Sequence, residues 1–140
     1  MKNVFIVFIF SLLFMSCEEN ETNDNLPNYN VNLNLNLRNP EFISLRTPGG
    51  IAYAQGGIQG IIIYNVNGKT FKAFERACPH LDVNSCNAMT VKGSTRLLCP
   101  CDDSEFNILN GSPLSEGITS FAREYRATYN QATDMLRITN

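Results

Sequence analysis

Two short segments constrain this chain more than any other feature: Cys78-Pro79-His80 and Cys99-Pro100-Cys101-Asp102-Asp103-Ser104. They hold three of the five cysteines and the sole histidine, with 19 positions from His80 to Cys99. Both read as loops. Cysteine and histidine in this spacing read as two halves of one site, which the fold must bring together from neighbouring strand ends.

The chain's beginning sets its compartment. Lys2 opens a short positive region, an apolar run covers residues 4–14, and Met15-Ser16-Cys17 follows. Residues 1–16 therefore read as a signal peptide, too short in its apolar part for a transmembrane helix. Leu13-Phe14-Met15-Ser16-Cys17 resembles the bacterial lipobox, which implies that Cys17 is lipidated and anchors the protein to a membrane of the bacterial cell envelope, facing the periplasm or the exterior. The alternative is an ordinary cleaved signal followed by a chance cysteine. Glu18, Glu19, Glu21 and Asp24, set among Asn and Thr, give residues 17–28 the character of an acidic flexible tether. The folded domain is expected over residues 29–140, about 110 residues and enough for one core.

The formal net charge is -2, and four of the acidic groups lie in the tether, so the domain itself is near neutral and nucleic acid is excluded as a partner. Behind a signal peptide the surroundings are oxidising, and cysteines that hold no metal are expected as disulfides. With Cys17 given to lipid, an even four remain.

Residue patterning predicts an all-β domain of antiparallel strands. Residues 31–37 alternate strictly between apolar residues and Asn, which gives a strand with one buried face and one solvated face. Thr47-Pro48-Gly49-Gly50 is a turn and residues 51–54 a short strand. Residues 60–64 and 70–76 flank Asn67-Gly68, a hairpin dipeptide whose residues tolerate positive φ. Residues 95–98 run into Cys99, 106–109 into a second hairpin turn at Asn110-Gly111, and 125–129 with 135–139 close the sheet. Phe71, Phe74, Phe106, Phe121, Tyr125 and Tyr129 are expected to fill the core. No stretch sustains helical periodicity over three turns.

From about residue 30 onward the chain resembles the Rieske [2Fe-2S] domain, whose boxes run C-x-H and C-x-x-H-x-S. The resemblance implies a Rieske-type antiparallel β-sandwich or barrel with a two-loop cluster-binding tip. It implies that Cys78 and Cys99 would ligate one iron and His80 the other, and that Ser104 would hydrogen-bond a bridging sulfide. Asp102 stands where the family has its second histidine, and Asp103 where a glycine follows it. A carboxylate can bind ferric iron and would lower the potential relative to imidazole, so Asp102 is a candidate fourth ligand; the alternative is a solvated turn of Asp102, Asp103 and Glu105. High-potential members of the family carry an additional disulfide between the loops, and Cys86 with Cys101 matches it.

Three functions follow. The first is a one-electron carrier with a [2Fe-2S] cluster and an unknown redox partner. The second is a cluster-less Rieske fold stapled by two disulfides, a binding or structural module of the envelope. Exported members of the family usually travel folded on the twin-arginine route, and this chain's first residues contain no arginine pair. Threaded unfolded, it would arrive without a cluster, and Cys78 would meet Cys99 as a disulfide. The third and weakest is a zinc site from Cys78, His80, Cys99 and Cys101. No hydrolase is expected: Ser104 has no second histidine as base, and no glycine-rich phosphate loop precedes a helix.

Overall fold

The computed structural model describes residues 25–140. The expected signal peptide, Cys17 and the first part of the expected tether lie outside the described residues. Among those described, the strands are β1 (Asn32–Asn36), β2 (Ile51–Ala54), β3 (Ile61–Asn65), β4 (Phe71–Glu75), β5 (Thr90–Lys92), β6 (Arg96–Leu98), β7 (Glu105–Asn107), β8 (Glu124–Asn130) and β9 (Met135–Thr139). A six-stranded sheet runs β1-β9-β8-β4-β3-β2 and a three-stranded sheet runs β5-β6-β7, every pair antiparallel.

The pleat explains how one sheet serves two cores. Successive side chains of a strand point to opposite faces. In β3, Ile61 and Ile63 join a core with Leu35, Leu37, Phe42, Leu45 and Leu136, while Ile62 points the other way. In β4, Phe71 and Ala73 join that first core and Phe74 the second. This is why Ile61-Ile62-Ile63 is apolar without alternation: both faces are covered. The second core contains Leu97 of β6, Phe106 of β7, Met89, Ile108 and the sulfurs of Cys78, Cys86 and Cys99. The three-stranded sheet thus packs over the β3-β4 pair and carries the cysteine loops with it.

The Asn67-Gly68 turn forms as its residues dictate. Gly68 has φ 86°, and Asn67 Oδ1 accepts from the N–H groups of Lys69 and Thr70 at 3.0 and 2.8 Å, which closes β3 onto β4. The alternation at β1 also forms as expected, with Leu35 and Leu37 buried and Asn32 and Asn34 exposed.

Pro40–Arg46 adds a 3-10 helix, in which Phe42 and Leu45 are buried; their spacing of three matches a 3-10 turn and is too short to show as helical periodicity. Three expectations are corrected. Asn110-Gly111 does turn the chain, but Phe106 and Pro113 form only an isolated bridge across it, and the next strand, β8, does not begin until Glu124. Phe121 is 46% exposed because its neighbour Ala122 takes the inward position of the extended segment and is 3% exposed. Part of the segment expected as free tether is packed: Leu26 is 7% exposed, and the carbonyls of Leu26 and Pro27 accept from Arg123 at 2.7 and 2.6 Å. A single apolar residue and two carbonyls dock the end of the segment expected to be free tether.

Candidate functional site

The first loop leaves β4 and is held at both ends. Met89 N–H donates to the Arg76 carbonyl at 2.6 Å, and Arg76 Nε returns to the Met89 carbonyl at 3.0 Å, closing the loop that contains Cys78, His80 and Cys86. Within it, Asp82 caps a turn by accepting from Asn84 N–H at 2.8 Å and Ser85 Oγ at 2.7 Å. Gln59 Nε2 reaches across to the carbonyls of Val83 and Cys86 at 2.7 and 2.9 Å.

The second loop joins β6 to β7. Cys99 N–H donates to the Ser104 carbonyl at 2.9 Å, and Ser104 N–H donates to Asp102 Oδ1 at 3.1 Å. Asp103 has φ 60°, in the left-handed region where Asp is among the few tolerated non-glycine residues. The loop therefore keeps the backbone bend that a glycine would give it.

These turns place all four cysteines of the domain together. Cys78 is joined to Cys99 and Cys86 to Cys101, each pair with Cα atoms 5.8 Å apart. The two disulfides touch: Cys86 Sγ lies 3.5 Å from Cys78 Sγ and 3.7 Å from Cys99 Sγ. Cys78, Cys86 and Cys99 are buried, whereas Cys101 is exposed.

His80 lies beside them, with Phe106 packed against its ring at 5.9 Å between centroids. Its Nε2 is 2.6 Å from Asp102 Oδ2, and Ser104 Oγ flanks the same nitrogen at 3.5 Å. Burial pushes the Asp102 carboxyl up, but hydrogen bonds from His80 and from the N–H and hydroxyl of Ser104 outweigh it and hold the group below its ordinary value. An ionised carboxylate only accepts, so Nε2–H is the donor. His80 Nδ1 is buried and has no hydrogen-bond partner among the described residues.

At the base of the first loop sits a buried carboxylate that patterning did not single out. Glu75, 0% exposed, accepts from the N–H groups of Ile58, Gln59 and Ala77 at 2.7, 2.9 and 3.0 Å and from Tyr125 Oη at 2.7 Å. Gly57, at φ 62°, is required here, since a Cβ would run into the Glu75 carboxylate and the Tyr125 hydroxyl. The only sequence signal for this clamp is a charge at the end of an apolar strand.

Every residue named from the two segments thus converges on one place. His80, Cys99 and Asp102 bring their ligand atoms within 4.8 Å of one another. The arrangement does not fit a [2Fe-2S] centre in the state described: Cys78 and Cys99 are bonded to each other, and Asp102 is engaged by His80 and Ser104. Nor does it fit zinc, because Cys78, Cys99 and Cys101 are all in disulfides. Ser104 Oγ lies 3.5 Å from His80 Nε2, beside the Asp102 carboxylate.

A two-sheet antiparallel domain with a pair of cysteine-bearing loops at one end defines a Rieske-type fold. The sequence model of the Rieske [2Fe-2S] domain matches residues 44–121, over half of the chain, and the chain belongs to that family. Among solved structures it is similar to the ferredoxin of carbazole 1,9a-dioxygenase from Nocardioides aromaticivorans IC177, with a TM-score of 0.52 and 12% identity over 79% of this chain and 97% of that one. A complex of reduced oxygenase and oxidized ferredoxin in carbazole 1,9a-dioxygenase gives a TM-score of 0.47 and 20% identity over 66% of this chain and 82% of that one. No curated protein matches the chain.

Proposed function

We propose that this chain is a disulfide-closed Rieske module of the bacterial cell envelope, anchored by lipid on Cys17 and acting as a binding or structural domain without a cluster. The observation that carries this reading is the Cys78–Cys99 disulfide, which occupies both thiolates that the family pattern assigns to the first iron. The replacement of the second imidazole by Asp102, bonded instead to His80, supports it. Asn25 N–H donates to the carbonyl of Pro79 in the first loop at 2.9 Å. A lipid on Cys17, eight residues earlier, would therefore hold the site within about 30 Å of the bilayer, the reach of an extended chain of that length.

Protein isolated from the native envelope under anaerobic conditions, without added thiol, tests the reading. It is expected to be colourless, free of stoichiometric iron and sulfide, and to yield Cys78–Cys99 and Cys86–Cys101 peptides on non-reducing digestion. Lipid labelling and membrane retention are expected to disappear in Cys17→Ala.

A second reading is favoured by one observation, the buried Nδ1 of His80, which has no partner among the described residues. A metal-bound histidine commonly offers one ring nitrogen to the metal and the other to a carboxylate, as Nε2 does here to Asp102. This reading makes the chain a one-electron carrier for an envelope redox protein. Its mark is about two irons and two sulfides per chain, with a visible chromophore that bleaches on reduction.

A further inference from the structure

The contact between the two disulfides leads beyond a passive staple, on the basis of the two-disulfide reading above. We propose that Cys101, Cys86, Cys78 and Cys99 form a thiol–disulfide relay through which an external dithiol at the surface reduces the buried Cys78–Cys99 bond. Cys101 is exposed and Cys99 fully buried, so the Cys86–Cys101 bond is the one an outside thiolate can approach. Cys86 lies between the two pairs, 3.5 Å from Cys78 Sγ and 3.7 Å from Cys99 Sγ, which is sulfur–sulfur van der Waals contact. A thiolate generated at Cys86 is therefore already beside its next target; it flanks the Cys78–Cys99 bond side-on and has to swing in line with that bond to displace Cys99.

The steps balance as disulfide exchanges. One thiolate of the external dithiol attacks Cys101 Sγ; a mixed disulfide forms, the Cys86–Cys101 bond breaks, and Cys86 leaves as the thiolate. Cys86 attacks Cys78 Sγ, forming Cys78–Cys86 and releasing Cys99 as a thiolate that takes up a proton. The second sulfur of the external dithiol displaces Cys101, leaving the reagent as a disulfide. Cys101 then attacks Cys86, restoring Cys86–Cys101 and releasing Cys78. Two electrons have passed from the external dithiol to the buried pair, and the surface disulfide is unchanged.

The full chain, purified without reductant, is treated with dithiothreitol, quenched at intervals with an alkylating agent and mapped by mass spectrometry. Wild type is expected to pass through a Cys78–Cys86 species, and in Cys86→Ser reduction of Cys78–Cys99 is expected to slow by more than about tenfold, since the sulfur that flanks the buried bond is gone. In Cys101→Ser, whose Cys86 is free from the outset, Cys78–Cys86 is expected to appear with no reductant at all. Unslowed reduction in Cys86→Ser, or a Cys101→Ser protein holding only Cys78–Cys99 beside a free Cys86, would overturn the relay. If either variant misfolds, absence of the Cys78–Cys86 species from the wild-type time course overturns it equally. Iron and sulfide in the isolated protein would instead overturn the two-disulfide reading, so the two failures are distinguishable.

Discussion

Asp102 Oδ2 meets His80 Nε2 at 2.6 Å, a bond that ties the two cysteine loops together across 22 positions of sequence. It turns the place of a missing histidine into the partner of the remaining one. Held there by His80 and Ser104 despite partial burial, the Asp102 carboxyl lies below its ordinary value of 3.8. A lowered folded-state value means stability that is present above the ordinary carboxylate range and lost as pH falls through the folded value. Asp102→Asn is expected to lower stability near neutral pH by less than about 1 kcal/mol, because a pair this exposed is screened by water. The difference from wild type should shrink as pH drops below 3.8. Urea midpoints for both proteins at several pH values check this; a gap independent of pH would mean that the carboxylate acts by shape rather than charge.

Glu75 is expected to matter more. Four donors converge on it: three backbone N–H groups and the Tyr125 hydroxyl. Glu75→Gln would turn an amide NH2 toward those donors in a fully buried position, at a cost of about 3 kcal/mol. Ile58, Gln59 and Ala77 link this carboxylate to the loop that begins at Cys78, so their amides should lose hydrogen-exchange protection together. A loss under about 1 kcal/mol would show that the site admits water or reorients.

How much of this was legible in the sequence depends on whether the cause was local. The alternation at residues 31–37 and the Asn67-Gly68 turn are local, and the strands around them form where patterning puts them. The convergence of the two cysteine segments was legible because both follow strands that end at the same edge of the fold. β5 was missed: Thr90–Lys92 is three residues long with one half-buried side chain, and it exists through pairing with β6, not through any pattern of its own. Asp102 could not be read as the partner of His80, because carboxylate and imidazole meet only once both loops are placed. The Glu75 clamp and the Arg123 anchor depend in the same way on backbone groups far off in sequence, which side-chain patterning does not report.

The Cys86–Cys101 bond closes a separation of 15 residues. A bridge of that span restricts the unfolded chain enough to contribute about 3 kcal/mol. The double variant Cys86→Ala with Cys101→Ala is expected to lose roughly that amount while Cys78–Cys99 remains intact, since that pair is separately buried in the second core. Removing both residues also leaves no free thiol to exchange with the remaining pair. Denaturant unfolding of the variant without reductant measures the effect, and peptide mapping verifies the surviving bridge.

Arg123 supplies the last expectation. Its side chain is 9% exposed, and its guanidinium donates to the Pro27 carbonyl at 2.6 Å and the Leu26 carbonyl at 2.7 Å. These bonds dock the segment that also gives Asn25 N–H to Pro79. Arg123→Met keeps much of the apolar stem but removes the donors, so the buried Leu26 carbonyl and the part-buried Pro27 carbonyl lose charge-assisted partners at about 2 kcal/mol in total. The loss is expected to be local: the Asn25 amide should exchange freely and the chain near Leu26 become open to protease, while the amides of Ile61–Asn65 in β3 stay protected. Protection at Asn25 that survives the substitution would show that burial of Leu26 alone holds this segment against the first loop.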